Sequence, residues 1–380
     1  MFLHHARACA NPLAHPYPFT THTLRAGSSL AALTLAVMLG STSAHAQFIC
    51  QQYGGGSGNA SAGSLALACG TDASASGTGS VAFGNQAQAT GNYSSAIGFL
   101  ARSTGNNATG IGSYSRADGS NGTAIGSASA ATGMDSTAIG NSAEAQGNNA
   151  TAIGSSAQAL QTNTTAVGTS ALADGVNATS IGNGAQARGD NSTAIGRTAR
   201  ATGQSGTAIG SLSRAPADFS TAVGTDAQAS GLGSSALGSG AVASGANAAA
   251  FGRGAQATQA MSSAFGQGAS AIGSQSTAVG SAASASAANA SAYGNGAAAT
   301  AEGATAVGQG ASASGVDASA FGRGASAGFA NSAAIGAGAS STCSPVSWPA
   351  SSSLRRSARR TTQATQGARS WPQRSALPWA

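Results

Sequence analysis

An aliphatic or aromatic residue followed by glycine recurs every 14 residues, without insertion or deletion, across most of this chain. The series is Phe83, Ile97, Ile111, Ile125, Ile139, Ile153, Val167, Ile181, Ile195, Ile209, Val223, Leu237, Phe251, Phe265, Val279, Tyr293, Val307, Phe321 and Ile335. The glycines that follow are Gly84, Gly98, Gly112, Gly126, Gly140, Gly154, Gly168, Gly182, Gly196 and Gly210, and so on to Gly336. Cys69-Gly70 falls one period earlier and reads as a degenerate first copy. Nineteen copies in unbroken register are the mark of a stacked solenoid, in which each unit packs only on its neighbours. Composition agrees. Charged residues are 7% and aromatics 5% of the 380 residues, so a three-dimensional core of large side chains is out of reach. A disordered Gly/Ser-type segment would share this composition but not the strict period.

One unit shows the finer pattern. In Ser136-Thr137-Ala138-Ile139-Gly140-Asn141-Ser142-Ala143-Glu144-Ala145-Gln146-Gly147, two glycines lie seven residues apart. Glycine permits the positive φ that tight turns need, so each coil is expected to have two turns and two short strands. Side chains on a strand alternate faces, which points Ala143 and Ala145 inward and Glu144 outward. Gln88, Arg102, Arg116, Gln158, Gln186, Arg200 and Gln228 occupy the same outward position. The predicted fold is all-β: a flattened parallel β-roll, or solenoid, of 14-residue coils with two long sheets. At about 4.8 Å per coil it is a rod of roughly 90 Å. The large apolar row shares a face with the Thr or Ser two residues earlier. It either fills the roll or lies outside and needs a partner. An outside ladder of this length exceeds what a soluble monomer tolerates, and the reading favours packing against other chains.

The chain divides into four parts. Residues 1–46 are a leader: the apolar run Leu30 to Leu39 follows Arg25 and precedes the small-x-small site Ala44-His45-Ala46, the pattern of a secretory signal and too short to span a bilayer. The stretch before it, with Pro12, Pro16 and Pro18, is long for such a signal; an extended leader and a start codon assigned too early both fit. Residues 47–82 form an N-terminal cap and the first degenerate coils, and 83–341 the regular repeats. Residues 342–380 are a basic tail without the repeat, holding all three tryptophans (Trp348, Trp371, Trp379) and Arg355-Arg356 and Arg359-Arg360. Two origins for it stay open, a shifted reading frame or a basic segment without a fold. Cys50 and Cys69 form the candidate disulfide of an exported chain, with two unlinked thiols as the alternative.

Chemistry is narrowly bounded. The net charge is +6 with every basic residue an arginine, but eight arginines face all ten acids between Gln47 and Ser341. The excess sits in the leader and tail, so nucleic-acid binding is not expected. His4, His5, His15, His22 and His45 all lie in the leader, which leaves the body without His or Lys for general-base, Schiff-base or metal chemistry. Glycine triads such as Gly182-Asn183-Gly184 are products of the repeat. No catalytic, metal or cofactor site is expected, and no membrane span. The Thr109, Thr123, Thr137, Thr151 ladder has no second parallel Thr row, as a flat ice-binding face would need.

The S-x-A-[aliphatic]-G core, as in Ser80-Val81-Ala82-Phe83-Gly84 and Ser192-Thr193-Ala194-Ile195-Gly196, resembles the YadA-like head repeat of the trimeric autotransporter adhesins, over about Ser64 to Ser341. The resemblance implies a left-handed parallel β-roll assembled as a homotrimer on a bacterial outer membrane. It also implies adhesion and virulence: attachment of a Gram-negative cell to host matrix, host cells or other bacteria. It names no ligand-binding residue. Family members continue into a neck, coiled-coil stalk and barrel anchor, which the tail from Thr342 does not resemble. A secreted product, a structural fibre and a truncated adhesin fragment without a ligand are the alternatives.

Overall fold

The structure is a computed structural model and describes residues 48–50 and 60–341. The expected leader over residues 1–46, with its expected cleavage site, and the expected tail over 342–380 lie outside the described residues. Within them the chain is a parallel β-solenoid of strands and turns with no helix. Each coil contributes one three-residue strand, such as Thr137–Ile139, and one two-residue strand, such as Glu144–Ala145. The three-residue strands build a first sheet and the two-residue strands a second.

Register follows from the repeat. Thr137, Ala138 and Ile139 pair with Thr123, Ala124 and Ile125 on one side and with Thr151, Ala152 and Ile153 on the other. In the second sheet Glu144 and Ala145 lie between Ala130-Ala131 and Gln158-Ala159. Parallel strands need a crossover of about a dozen residues, and here the other strand with its two turns supplies it. Hydrogen bonds run between coils even in the turns: Gly140 N–H donates to the Ile125 carbonyl and Ser142 N–H to Ser127, both at 2.8 Å. The array therefore satisfies backbone groups that a single coil would leave unpaired.

The interior is built from small side chains. Ala138, Ala143, Ala145 and their equivalents are fully buried, and the largest fully buried side chain is Thr164. Serines replace alanine at some inner positions, and several turn their hydroxyls onto the backbone: Ser136 Oγ donates to the Gly133 carbonyl at 2.6 Å and Ser94 Oγ to Gly91 at 2.7 Å, whereas the buried hydroxyls of Ser115, Ser180, Ser192 and Ser234 have no partner among the described residues. Where the interior gains an atom it loses one nearby. Ser103 stands at an inner alanine position, and the facing strand carries Gly110, where a Cβ would come within 2.8 Å of Ser103 Oγ.

Candidate functional site

With an interior this thin, any function lies on the outside, and the coil has four exterior surfaces: two sheet faces and two turns. The first sheet shows the large apolar row. Thr137 is half-buried, Ala138 buried and Ile139 exposed, and the same pattern recurs along the rod. The question left open by alternation is thereby settled in space: the row Phe83 to Ile335 lies on the outer face, beside the Thr row. Isoleucines 97, 111, 125, 139, 153, 181 and 209 are each 36–39% exposed, their stacked neighbours in adjacent coils covering the rest. Phe251 and Phe265, adjacent in this row, stack with centroids 5.1 Å apart. Cys69 continues the row in register with Phe83, and Cys50 is the strand partner of Cys69.

The two turns differ in construction. In the first turn the glycine after the apolar residue has φ of 136° at Gly140, and between 118° and 138° in every copy from Gly84 to Gly336. Side-chain-bearing residues rarely adopt this backbone. In the second turn Gly147 has no such φ; a Cβ there would instead strike the Gln161 carbonyl of the next coil. The sequence reading assigned positive φ to both glycines, but only the first has it. Both turns also hold a left-handed residue two places further on: Ser142 at 53°, Ser156 at 54° and Ser170 at 55° in the first turn, and Asn149 at 55°, Asn163 at 58°, Asn177 at 58° and Asn191 at 57° in the second. Asparagine tolerates this region best among residues with a side chain. These asparagines also form a ladder up the rod. Asn149 Nδ2 donates to Asn163 Oδ1 (3.2 Å), Asn163 to Asn177 (3.0 Å) and Asn177 to Asn191 (3.1 Å), and Asn107 to Asn121 to Asp135 does the same earlier. The signal was present in the sequence as an Asn recurring at the repeat spacing.

The second sheet is the polar face. Gln88, Arg102, Arg116, Gln158, Arg200 and Arg214 are exposed, and Glu144, Gln186 and Gln228 half-buried, while the alanine after each, or Ser103 after Arg102, is buried. Its one ionic cluster among the described residues joins two coils. The Asp118 carboxylate accepts from Thr104 Oγ1 at 2.7 Å, contacts Arg116 Nε, and lies 3.6 Å from Arg102 Nε. Burial pushes its pKa up, but the hydrogen bonds from Thr104 and Arg116 and the charges of both arginines outweigh that and hold it below the usual aspartate value. Beyond Gln256 the face turns bland, with Ser270, Ser284, Ala298, Ser312 and Ser326 in the same row. Among the described residues no group of three or more His, Cys, Asp or Glu could hold a metal ion, and no helix is long and apolar enough to cross a membrane.

A search of the curated proteins finds no match. The family model for the YadA head domain repeat (2 copies), however, matches in overlapping windows from residue 63 to residue 339, with the windows offset by whole coils. Those windows cover well over half of the 380 residues and coincide with the coils just described, and on that ground the chain belongs to the YadA head domain family.

Proposed function

We propose that this chain is the adhesive head of a trimeric autotransporter, exported to the surface of a Gram-negative bacterium. Three copies associate through the first-sheet face. The second sheet and the turns are then left to meet host matrix, host cells or other bacteria. The observation that carries this reading is the outer apolar row from Phe83 to Ile335 on a YadA-family rod. A soluble monomer's largest apolar patch is roughly 300–600 Å², and a row of nineteen such residues beside a threonine row runs past that limit. Burial of that row would be the main driving force for assembly, since apolar area removed from water contributes about 25 cal/mol per Å².

Sedimentation of the purified chain tests the assembly, with a trimer expected. The double substitution Ile139→Asp, Ile153→Asp, which places carboxylates in the middle of the row, should shift it toward monomer. A wild-type chain that sediments as a stable monomer overturns the assembly. Adhesion is tested by solid-phase binding of the trimer to collagen, fibronectin and laminin. The bland Ser and Ala face from Ser270 to Ser326 favours a second reading, a structural fibre with no specific ligand, which a correctly assembled but non-binding trimer would support.

The disulfide belongs to the same proposal. Register partners on neighbouring strands lie about 4.8 Å apart, inside the Cα range of disulfides. Cys50 and Cys69 are such partners. A bond between them would clamp the first coil where stacking is one-sided. Non-reducing peptide mapping that finds the two cysteines in separate, unlinked peptides removes it.

A further inference from the structure

Two pairs of arginines occupy the outer row of the second sheet, seven coils apart in the same frame. Arg102 and Arg116 are register partners, and so are Arg200 and Arg214. The flanking residues match as well: Thr104 answers to Thr202, and Asp118 to Pro216. That last exchange changes the chemistry. In the first pair the Asp118 carboxylate contacts both guanidiniums and cancels one of their two charges. In the second pair the equivalent position is a proline. No ion pair among the described residues involves Arg200 or Arg214. Two like charges on adjacent strands repel, and this pair keeps that cost unrelieved.

We propose that Arg200 and Arg214 form a binding site for the sulfate groups of a linear sulfated polysaccharide, one sulfate taking the place that the Asp118 carboxylate holds in the first pair. The inference rests on the reading of this chain as an adhesive head and gives its ligand class. Each guanidinium offers a planar fork of donors suited to an oxyanion. The two are set about 4.8 Å apart along the rod by the strand spacing, so a chain of closely spaced anionic groups can lie along the row. Arg188 is exposed on the same face one coil earlier, but Asp174 lies in the adjacent coil beside it, so it extends the site and does not define it. Of the nearby carboxylates, Asp190 Oδ1 accepts from Val176 N–H at 2.9 Å and Asp218 Oδ1 from Gln204 N–H at 2.8 Å, in the second turn, and Asp226, exposed in the coil after Arg214, is in no ion pair with either arginine.

Nucleic acid carries the same charge but fits less well. Single-stranded binders use aromatic platforms on which bases stack, and the row around the pair reads Gln186, Arg188, Thr202, Pro216, Gln228 and Ser230. Duplex binders need a broad basic surface, whereas the body has eight arginines against ten acids. Three symmetry-related sites in a trimer would let one long polysaccharide or several neighbouring chains engage by avidity.

The test is fluorescence anisotropy of the full chain with labelled heparin, chemically desulfated heparin and a single-stranded oligonucleotide. Heparin should bind tightest, with affinity falling as salt rises. Arg200→Gln with Arg214→Gln should weaken heparin binding by about tenfold or more. Pro216→Asp, which installs the missing carboxylate, should weaken it in the same direction. Arg102→Gln with Arg116→Gln should change it less than about twofold, because Asp118 already cancels one of that pair's charges and holds the place a sulfate would take. Equal losses from the two arginine pairs, undiminished binding of desulfated heparin, or a tighter complex with the oligonucleotide would each overturn the proposal. Sedimentation of the same samples separates it from the assembly reading. A trimer without heparin affinity sinks the site and leaves the assembly standing, while a monomer that binds heparin does the reverse.

Discussion

The two turns of each coil reverse the chain under different rules. The first turn has glycine after the apolar residue in all nineteen copies from Gly84 to Gly336. The second turn departs from glycine at Gln161, Ala217, Gln259, Ala287, Ala301 and Phe329. The first glycine is held by its own dihedral, which no neighbouring coil can relax. The second is held by closeness to the next coil, whose backbone must move to admit a side chain, and six coils carry one there. Gly133 N–H, for example, reaches the Ala145 carbonyl of the next coil at 3.4 Å, a long bond that costs little to lose. One half of the coil is thus fixed by backbone geometry and by the apolar face it carries, and the other half is free to vary its surface. A binding surface that must differ between copies belongs on the second half, where the arginines and glutamines are.

The sharpest way to break this contrast is to put the same methyl group into both turns. Gly140→Ala combines a φ of 136° with a Cβ 2.5 Å from the Gly154 carbonyl. It should destabilise the rod by about 3 kcal/mol or more, read from the denaturant midpoint. Gly147→Ala should cost about 1 kcal/mol, because six other coils already manage without that glycine. Equal costs would mean that both turns are limited by packing and that the dihedral argument fails.

The next largest effect joins the two halves through the interior. Gly110→Ala places a methyl 2.8 Å from Ser103 Oγ inside a roll with no spare room, and overpacking of this kind costs about 2 kcal/mol. Adding Ser103→Ala removes the obstructing hydroxyl and restores the alanine pattern of most other coils. The double variant should recover most of the loss in the same denaturation measurement. If it recovers none, the strain lies in the backbone of the first strand and the interior is not matched side chain to side chain. Asn163→Ala probes the second turn alone. It removes two rungs of the ladder and leaves alanine at a φ of 58°, for a loss of about 1 kcal/mol. Asn163→Gly should recover the dihedral part, and the remainder measures the ladder.

Much of this architecture was legible because a fixed period turns sequence distance into space. Residues 14 apart are neighbours, so Ile139 stacking on Ile153 and the outward Glu144 between inward alanines followed from the residues. The side taken by the apolar row did not follow, since alternation is unchanged when inside and outside are exchanged. The deciding fact is size: rows that contain nothing larger than Thr164 can face inward in so thin a roll, and the isoleucine row cannot. The Asp118 cluster was hidden for another reason. Its partners Thr104 and Arg102 belong to the preceding coil, and their approach depends on side-chain reach across the sheet, beyond what the period itself conveys.

That cluster gives the smallest effect expected and the best check that the second face contributes little to the fold. In the folded chain the Asp118 pKa is held below its ordinary value of 3.8. A carboxylate with a depressed folded pKa adds stability above its unfolded pKa, and the contribution disappears as pH falls through the folded one. The window is therefore acidic, below about pH 4. Arg102 and Arg116 are about half exposed, so solvent screens the interaction, and the gain at neutral pH should be small. Asp118→Asn should lower the melting temperature by about 1–2 °C at pH 7, and the difference should shrink as pH falls through the folded pKa of Asp118. A loss much larger than this at pH 7 would mean that an ion pair on the variable face helps hold the coils together. The polar face would then no longer be free to change without cost to the rod.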